Sequence, residues 1–183
     1  LKPNPDAPEL PIIDGVPQAV QPQAPGVGLL APQTIGTNFT GATLSGTNPT
    51  LSFPPDCQGA VGPTQYVLFV NGRLVTFNKT TGVADGVLNA DPDVFFNSVR
   101  NGSSTSDPRV RYDRMTGRWF MVIINVSTPN RILLAVSDAA SNGTISGGTV
   151  FTYFFINIAT TPPAISNTCL ADYPTLGLDA NAL

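Results

Sequence analysis

The sequence predicts an all-β protein of antiparallel four-stranded meander blades, arranged as in a propeller and incomplete in this chain. Composition is the first observation behind this prediction. The 183 residues include one Glu, two Lys and two Met, residue types that helices favour, whereas Thr, Val, Ile, Phe, Asn and Gly are abundant. The second observation is a series of short apolar runs separated by polar turns. The third is a repeat with a period of about 50 residues.

The N-terminal part differs in composition from the rest of the chain. Residues 1–34 contain eight of the 18 prolines and show no apolar periodicity. Proline fixes φ and removes a backbone donor, so this part is predicted to be extended. We therefore divide the chain into a Pro-rich arm or linker, residues 1–35, and a β-domain, residues 36–183. The arm is either a flexible leader or a segment that packs along a neighbouring surface.

A hairpin and a short helical turn are predicted in the first part of the β-domain. Two β-rich runs, Tyr66–Val70 and Arg73–Asn78, flank Asn71-Gly72, a pair that type I′ turns prefer. Further along, Asp91 precedes Pro92 and an apolar triplet. This order predicts a helical turn with Asp91 as the N-cap and Pro92 at the first position.

Four consecutive strands are predicted in the second part of the β-domain. Their connections are short and polar, which is typical of an antiparallel meander. Because Trp119–Ile124 is apolar at nearly every position, both faces of that strand should be covered, as in stacked sheets. The four predicted strands are Arg109–Tyr112, Arg118–Val126, Arg131–Ser137 and Thr149–Ile158.

Three segments of the β-domain begin alike. Each has an Asp, a short apolar run, a turn residue and then a new strand, and the three Asp residues lie 51 and 65 positions apart. A period near 50 residues with about four strands per unit is typical of propeller blades. The openings are Asp56 to Pro63, Asp107 to Asp113 and Asp172 to Asp179.

With these openings, and with Gly117-Arg118-Trp119 and Ala135-Val136-Ser137, the chain resembles a group of secreted bacterial proteins of sialidase-like β-propeller appearance. The resemblance covers about residues 36–183. It implies a propeller scaffold but no particular reaction, because the group shares a scaffold rather than an activity.

A propeller needs at least four blades, whereas this chain has two complete units and the start of a third. The missing sheets would come from other copies of the chain or from a further segment of the same parent protein. Sheet edges left open are commonly protected by Lys, yet Lys79 is the only lysine beyond the arm. This absence favours association through sheet edges.

Several functions are excluded or disfavoured by composition. The chain has no His and only one Glu, Glu9 in the arm, so no catalytic residue is assigned. A net charge of −3 without a basic cluster disfavours nucleic acid as a partner. No apolar run is long enough to span a membrane.

The three Asp residues that open the repeats are the candidate metal ligands. In a propeller, Asp56, Asp107 and Asp172 would gather near one mouth of the channel, where carboxylates could bind calcium. The alternative, which we favour, is that each carboxylate accepts hydrogen bonds from nearby backbone N–H groups and caps a turn. No other cofactor is predicted.

Cysteine usage and possible modification sites favour an extracellular or cell-surface location. Cys57 and Cys169 lie 112 residues apart in turn-rich segments and are predicted to form a disulfide; two buried free thiols are the alternative. Five Asn-x-Ser/Thr sequences are candidate glycosylation sites. They begin at Asn38, Asn78, Asn101, Asn125 and Asn142.

Arginines and aromatic residues are interpreted mainly as structural. Arg109 and Arg118 could hold a carboxylate, as arginines of sialidases do, but pairing or stacking of Arg118 beside Tyr112 and Asp113 is the favoured role. Aromatic residues such as Trp119 are predicted to pack between blades. A sugar-stacking face that includes Tyr153 is the alternative.

These observations favour a secreted, non-catalytic structural or binding β-module that assembles through open sheet edges and the arm. One alternative is the N-terminal part of a secreted glycosidase or sialidase-like hydrolase with its catalytic acids elsewhere. Another is a glycan-binding lectin.

Overall fold

The computed structural model describes residues 36–164, 166 and 168–179. These residues form two four-stranded antiparallel sheets and one short helix, so the all-β meander prediction is confirmed. The first sheet has the order β1-β2-β3-β4 and the second the order β5-β6-β7-β8. The elements are β1 (Gln58–Val61), β2 (Gln65–Val70), β3 (Arg73–Asn78), β4 (Ala84–Ala90), α1 (Pro92–Phe95), β5 (Thr105–Asp113), β6 (Arg118–Asn125), β7 (Arg131–Ser137) and β8 (Phe151–Asn157).

The predicted hairpin joins β2 to β3 through Asn71 and Gly72. Its turn differs from the type I′ prediction, because positive φ occurs at Gly72 (77°) but not at Asn71. Glycine is required at position 72 for two reasons: its φ is positive, and a Cβ there would collide with the carbonyl oxygen of Thr50.

Helix α1 begins as predicted and fills the space between the two sheets. The Asp91 carboxylate accepts a hydrogen bond from the Asp93 N–H (2.8 Å), and Pro92 occupies the first turn. Phe96 stacks on Phe69 of the first sheet. Its ring also contacts the ring of Tyr153 in the second sheet, in an edge-to-face arrangement. The sheets contact each other mainly through β1, β2 and β5. The helix packs on the side where the remaining strands of the two sheets are further apart.

The main core lies between the two sheets and α1. Trp119 is fully buried there, and its indole N–H donates to the carbonyl oxygen of Gly143 (2.9 Å). Burial of so many large apolar side chains in one cluster is the main source of stability. The cluster contains Val67, Phe69, Leu74, Phe96, Val99, Val110, Trp119, Met121, Ile123, Leu133, Ala135 and Ile145.

The repeat, which treats Asp56 and Asp107 as equivalent, predicts that the two sheets stack in the same orientation, front to back. Gln58 and Arg109 are equivalent in the repeat, because each lies two residues after its Asp. Gln58 pairs with Phe69, and Arg109 pairs with Val122. Phe69 faces the second sheet and belongs to the core between the sheets. Val122 alternates with core residues Met121 and Ile123, so it faces away from the first sheet. The face that the first sheet buries is therefore the face that the second sheet leaves on its outside.

Each sheet has an apolar outer face. On the first sheet, Leu68, Val70, Val75 and Phe77 form a second cluster, against which Phe39 packs from residues 36–53. On the second sheet, strand alternation and register place eight apolar residues on the outer face. They are Phe120, Val122, Ile124, Ile132, Leu134, Val136, Phe154 and Ile156.

Some sequence predictions differ from the structure or lie outside it. No closed ring of sheets is found in the described residues, and residues 168–179 contain no strand. Strand β4 was not predicted, because Ala84–Ala90 contains residues of low strand propensity and forms a strand only by pairing with β3. The Pro-rich arm, residues 1–35, lies outside the described residues, so its boundary stays a prediction.

Candidate functional site

The three repeat-opening Asp residues lie in one hydrogen-bonded cluster, with Asn71 at its centre. The Asn71 side-chain amide donates to the Asp56 carboxylate (2.6 Å) and to the Pro54 carbonyl oxygen (3.0 Å). Its side-chain oxygen accepts from the Asp107 N–H (2.9 Å). Asn71 is buried, and it ties the first two openings together.

Asp107 extends the cluster to the third opening. One of its carboxylate oxygens accepts from the Ser106 hydroxyl (3.0 Å), and the other accepts from the Tyr173 N–H (3.1 Å). Asp172 also hydrogen-bonds with the Asp107 carboxylate. Residues from three segments that are distant in sequence therefore converge on one buried carboxylate.

The pKa values of Asp107 and Asp172 are shifted in opposite directions. Burial by itself would raise the pKa of Asp107, but hydrogen bonds from Tyr173, Ser106, Asp172 and Asp56 outweigh burial and lower this pKa. The pKa of Asp172 is raised because its proton is hydrogen-bonded to Asp107, and because burial and nearby negative charge disfavour its ionised form. The interaction between the two carboxyl groups therefore favours the ionised form of Asp107 and the protonated form of Asp172.

Local backbone geometry suits turn capping. Asp56, Asp107 and Tyr173 all have positive φ, at 44°, 61° and 57°, in the left-handed region where non-glycine residues need extra support. The cluster supplies that support through the hydrogen bonds that surround these residues. This finding favours the turn-capping role over metal binding.

Among the described residues, no group of three or more His, Cys, Asp or Glu side chains is arranged to hold a metal ion. Asp56, Asp107 and Asp172 are close to one another, but their oxygens accept or share hydrogen bonds. Calcium binding there stays a prediction. A calorimetric titration with calcium tests it.

Arg109 has a structural role beside the cluster. Its guanidinium group lies over the Tyr173 ring (4.6 Å to the centroid) and donates to the Pro108 carbonyl oxygen (2.8 Å). Asp113 instead accepts from Met115 and Thr116 in the β5–β6 turn, so the turn does not depend on Arg118. The ion pair found in the described part of the chain is Arg100–Asp93 (3.7 Å).

The predicted disulfide is absent from the structure. Both cysteines lie in the described residues, and Cys57 and Cys169 are exposed free thiols. Cys57 precedes β1 and lines a groove on the outer face of the first sheet, whereas Cys169 lies in the irregular segment after β8. Because both thiols are exposed, the alternative prediction of two buried free thiols is wrong as well.

The groove beside Cys57 has a volume of about 760 Å³ and is mostly apolar. Its floor is formed by Tyr66 and Leu68 of β2, and part of its wall by Phe39 and Phe53 from the segment before β1. Phe53 is 88% exposed. The groove is thus an incompletely covered part of the outer face of the first sheet.

The five glycosylation candidates differ in accessibility. Asn125 is fully buried, and its side chain donates to the Arg100 carbonyl oxygen (3.1 Å) and accepts from the Arg131 N–H (2.6 Å). It is therefore inaccessible in the folded chain. The other four candidates, Asn38, Asn78, Asn101 and Asn142, are exposed.

Several aromatic residues pack in the core, as the sequence predicted. Phe95 of α1 meets Phe151 and Tyr153 edge to face, with ring centroids 5.1 Å and 5.4 Å apart. Burial also raises the pKa of the Tyr153 hydroxyl. These contacts favour the packing role of Tyr153 over a sugar-stacking role.

Two functional features were missed by the sequence analysis. Asn71 was interpreted only as a turn residue. Its position at the end of a strand, between the repeat openings that begin at Asp56 and Asp107, was the feature that could have indicated its role. The apolar outer face of the second sheet was visible in β6 but not in β7 and β8, whose faces depend on register.

No protein-family model matches the chain, and no curated protein or solved structure is significantly similar to it. No helix in the described residues is long and apolar enough to cross a membrane. The resemblance to secreted propeller proteins therefore stays a prediction.

Proposed function

We propose that the chain is an extracellular, non-catalytic structural or binding module of propeller-like build, which binds further β-sheets. The outer face of its second sheet is the binding surface. The further sheets belong to other copies of the chain or to another segment of the same parent protein.

The observation that supports this proposal is the front-to-back stacking of the two sheets. The outer face of the second sheet is equivalent to the face that the first sheet already buries against a neighbour. Phe120 and Val122 of the outer face correspond to Val67 and Phe69, which are fully buried in the core. A third sheet in the same orientation would cover this face by the same kind of packing.

The chemistry of the outer face agrees with this role. Of its eight apolar residues, Phe154 and Ile156 are 50% and 47% exposed, whereas Val122 and Ile124 are already buried. A contiguous apolar surface of this kind on a monomer marks an interaction site or a risk of aggregation. Covering it with another sheet removes that apolar area from water.

The carboxylate cluster does not have the geometry of a glycosidase site. Glycosidases keep their two catalytic carboxyl groups at least about 5 Å apart, so that substrate or water fits between them. Asp172 instead lies within hydrogen-bonding range of Asp107, which leaves no room for substrate or water between the two carboxyl groups. Screening the protein against chromogenic glycosides separates the two functions, since the module is expected to release no chromophore.

Sedimentation velocity over a range of protein concentrations tests the proposed function. Leu134 lies near the centre of the outer face, and Leu134→Lys should reduce association because the cation cannot be buried without a partner. The matched control is Met115→Lys, since Met115 is highly exposed but lies in the β5–β6 turn. Equal association of the wild type and Leu134→Lys would contradict the proposed function.

A further inference from the structure

The four edge strands of the two sheets differ in how they are protected against pairing with another chain. An unpaired edge presents free N–H and C=O groups, and proteins normally block it with a bulge, a charge, Pro or a short strand. Three of the four edges carry such a device. Strand β8 carries none.

The three protected edges are β1, β4 and β5. Strand β1 has only four residues. In β4, the register with β3 shifts between Val75 and Phe77, Gly86 has positive φ, and Asp85 places a carboxylate in the strand. Strand β5 contains Pro108, and its register with β6 is interrupted next to that residue.

Strand β8 is a regular and exposed edge. All seven of its residues pair with β7 in one unbroken register. Its sequence, Phe-Thr-Tyr-Phe-Phe-Ile-Asn, has no charge, no Pro and no Gly, and Phe155 is 48% exposed. Segments of this length and composition readily add to another strand.

Backbone hydrogen bonds show which groups of β8 are free to pair. The Asp138 N–H donates to the Val150 carbonyl oxygen (2.8 Å), and the Ile158 N–H donates to the Asn130 carbonyl oxygen (3.3 Å). Even-numbered residues therefore direct their backbone groups toward β7, because hydrogen-bonded residues alternate along an antiparallel strand. Odd-numbered residues, namely Phe151, Tyr153 and Phe155, direct theirs to the open edge.

We infer that β8 pairs antiparallel with β8 of a second copy of this chain, about a two-fold axis at Phe154. The sequence of the strand is nearly self-complementary about this residue. Tyr153 would lie opposite Phe155 of the second copy, and Thr152 opposite Ile156. Phe154 would lie opposite Phe154 of the second copy. The free backbone groups of Tyr153 and Phe155 then bond across the axis, and no charge opposes the approach.

This inference rests on the proposed function, because it specifies one way in which copies of the chain assemble. It uses the open edge of the second sheet and not its outer face. It joins two sheets at their edges into one eight-stranded sheet, whereas face stacking adds a separate sheet in front of the second one. Edge pairing closes at two copies, because each copy has one such edge.

Disulfide trapping tests the register directly. In a Cys57→Ser, Cys169→Ser background, Phe154→Cys should form a covalent dimer under mild oxidation. Residues opposite each other in a non-hydrogen-bonded pair have Cα atoms about 4.5 Å apart, which a disulfide can span. Thr152→Cys is the matched control on the same face of the same strand. Its partner position is Ile156, so it should remain monomeric on non-reducing gels.

Sedimentation equilibrium of the full chain tests whether the contact forms without a cross-link. Phe154→Lys should weaken dimerisation by about tenfold or more, since it places two like charges directly opposite each other. Val94→Lys, which changes an exposed residue of α1, should have no effect.

Two results would overturn the inference: equal trapping of Phe154→Cys and Thr152→Cys, or a dimer that Phe154→Lys leaves unchanged. These results are distinguishable from failure of the proposed function. Association that Leu134→Lys reduces, together with equal trapping of Phe154→Cys and Thr152→Cys, refutes edge pairing alone, whereas selective trapping of Phe154→Cys with association that Leu134→Lys leaves unchanged refutes face stacking alone.

Discussion

Asn71→Ala should strongly destabilise the β-domain. The substitution removes the donor to Asp56 and the acceptor for the Asp107 N–H. Asn71 and Asp107 are both buried, so water does not easily replace these bonds. A lost hydrogen bond to a charged group costs about 1.5–3 kcal/mol, and a buried N–H without a partner costs about 1–3 kcal/mol.

The turn can partly relax, so the two costs are not fully additive. We therefore expect a loss of about 3 kcal/mol in the free energy of unfolding. For a chain of this size, that loss corresponds to a decrease in Tm of about 6–12 °C. Urea denaturation followed by Trp119 fluorescence measures it, because the indole is buried in the core and becomes exposed on unfolding.

Asn97→Ala is the matched control. Asn97 is exposed and follows α1, so its substitution should change the free energy of unfolding by less than about 0.5 kcal/mol. A loss of stability in Asn71→Ala no larger than that in Asn97→Ala would refute the reasoning that Asn71 holds the first two openings together.

Three further predictions concern the same domain. Because the pKa of Asp172 is raised in the folded state, its contribution to stability is complete at low pH and is lost as the pH rises through that raised pKa. Asp172→Asn keeps a donor to Asp107 at every pH. The free energy of unfolding of this variant, measured in urea, should therefore fall less than that of the wild type between about pH 4 and 7. Equal pH dependence of the two proteins would contradict this prediction. Gly72→Ala should cost about 2 kcal/mol or more, since φ is positive and the new Cβ meets Thr50, and a neutral result in thermal melting would contradict the turn geometry. Trp119→Phe removes the donor to Gly143 and leaves a void, so it should cost about 3 kcal/mol by thermal melting, whereas Phe53→Leu on the surface should be nearly neutral.

The sequence predicted the strands that are specified by local pattern. The predicted β3 and β7 match the structure residue for residue, and the predicted β2 and β6 differ from it by one residue. In these strands, β-branched and aromatic residues coincide with turn residues at both ends. Strand β4 lacks these signals, and it forms because the edge of β3 is available for pairing.

The candidate site was only partly predictable. The repeat singled out Asp56, Asp107 and Asp172, and the structure places these three residues in one cluster. The role of Asn71 depends on hydrogen bonds to residues 15 and 36 positions away, which a local pattern cannot specify. The disulfide prediction was wrong because cysteine spacing and composition contain no information on where the two thiols lie.

The two proposed contacts have different symmetry, and this difference decides how each appears in solution. Face stacking joins unlike surfaces, so each added copy presents a new apolar face and growth continues with concentration unless a ring closes. Edge pairing through β8 joins like surfaces and stops at two copies. A weight-average mass that reaches a plateau at twice the monomer mass, and that Leu134→Lys leaves unchanged, therefore identifies the edge contact. Growth beyond the dimer that Leu134→Lys stops identifies the face contact, since Leu134 faces outward and takes no part in the β8 edge.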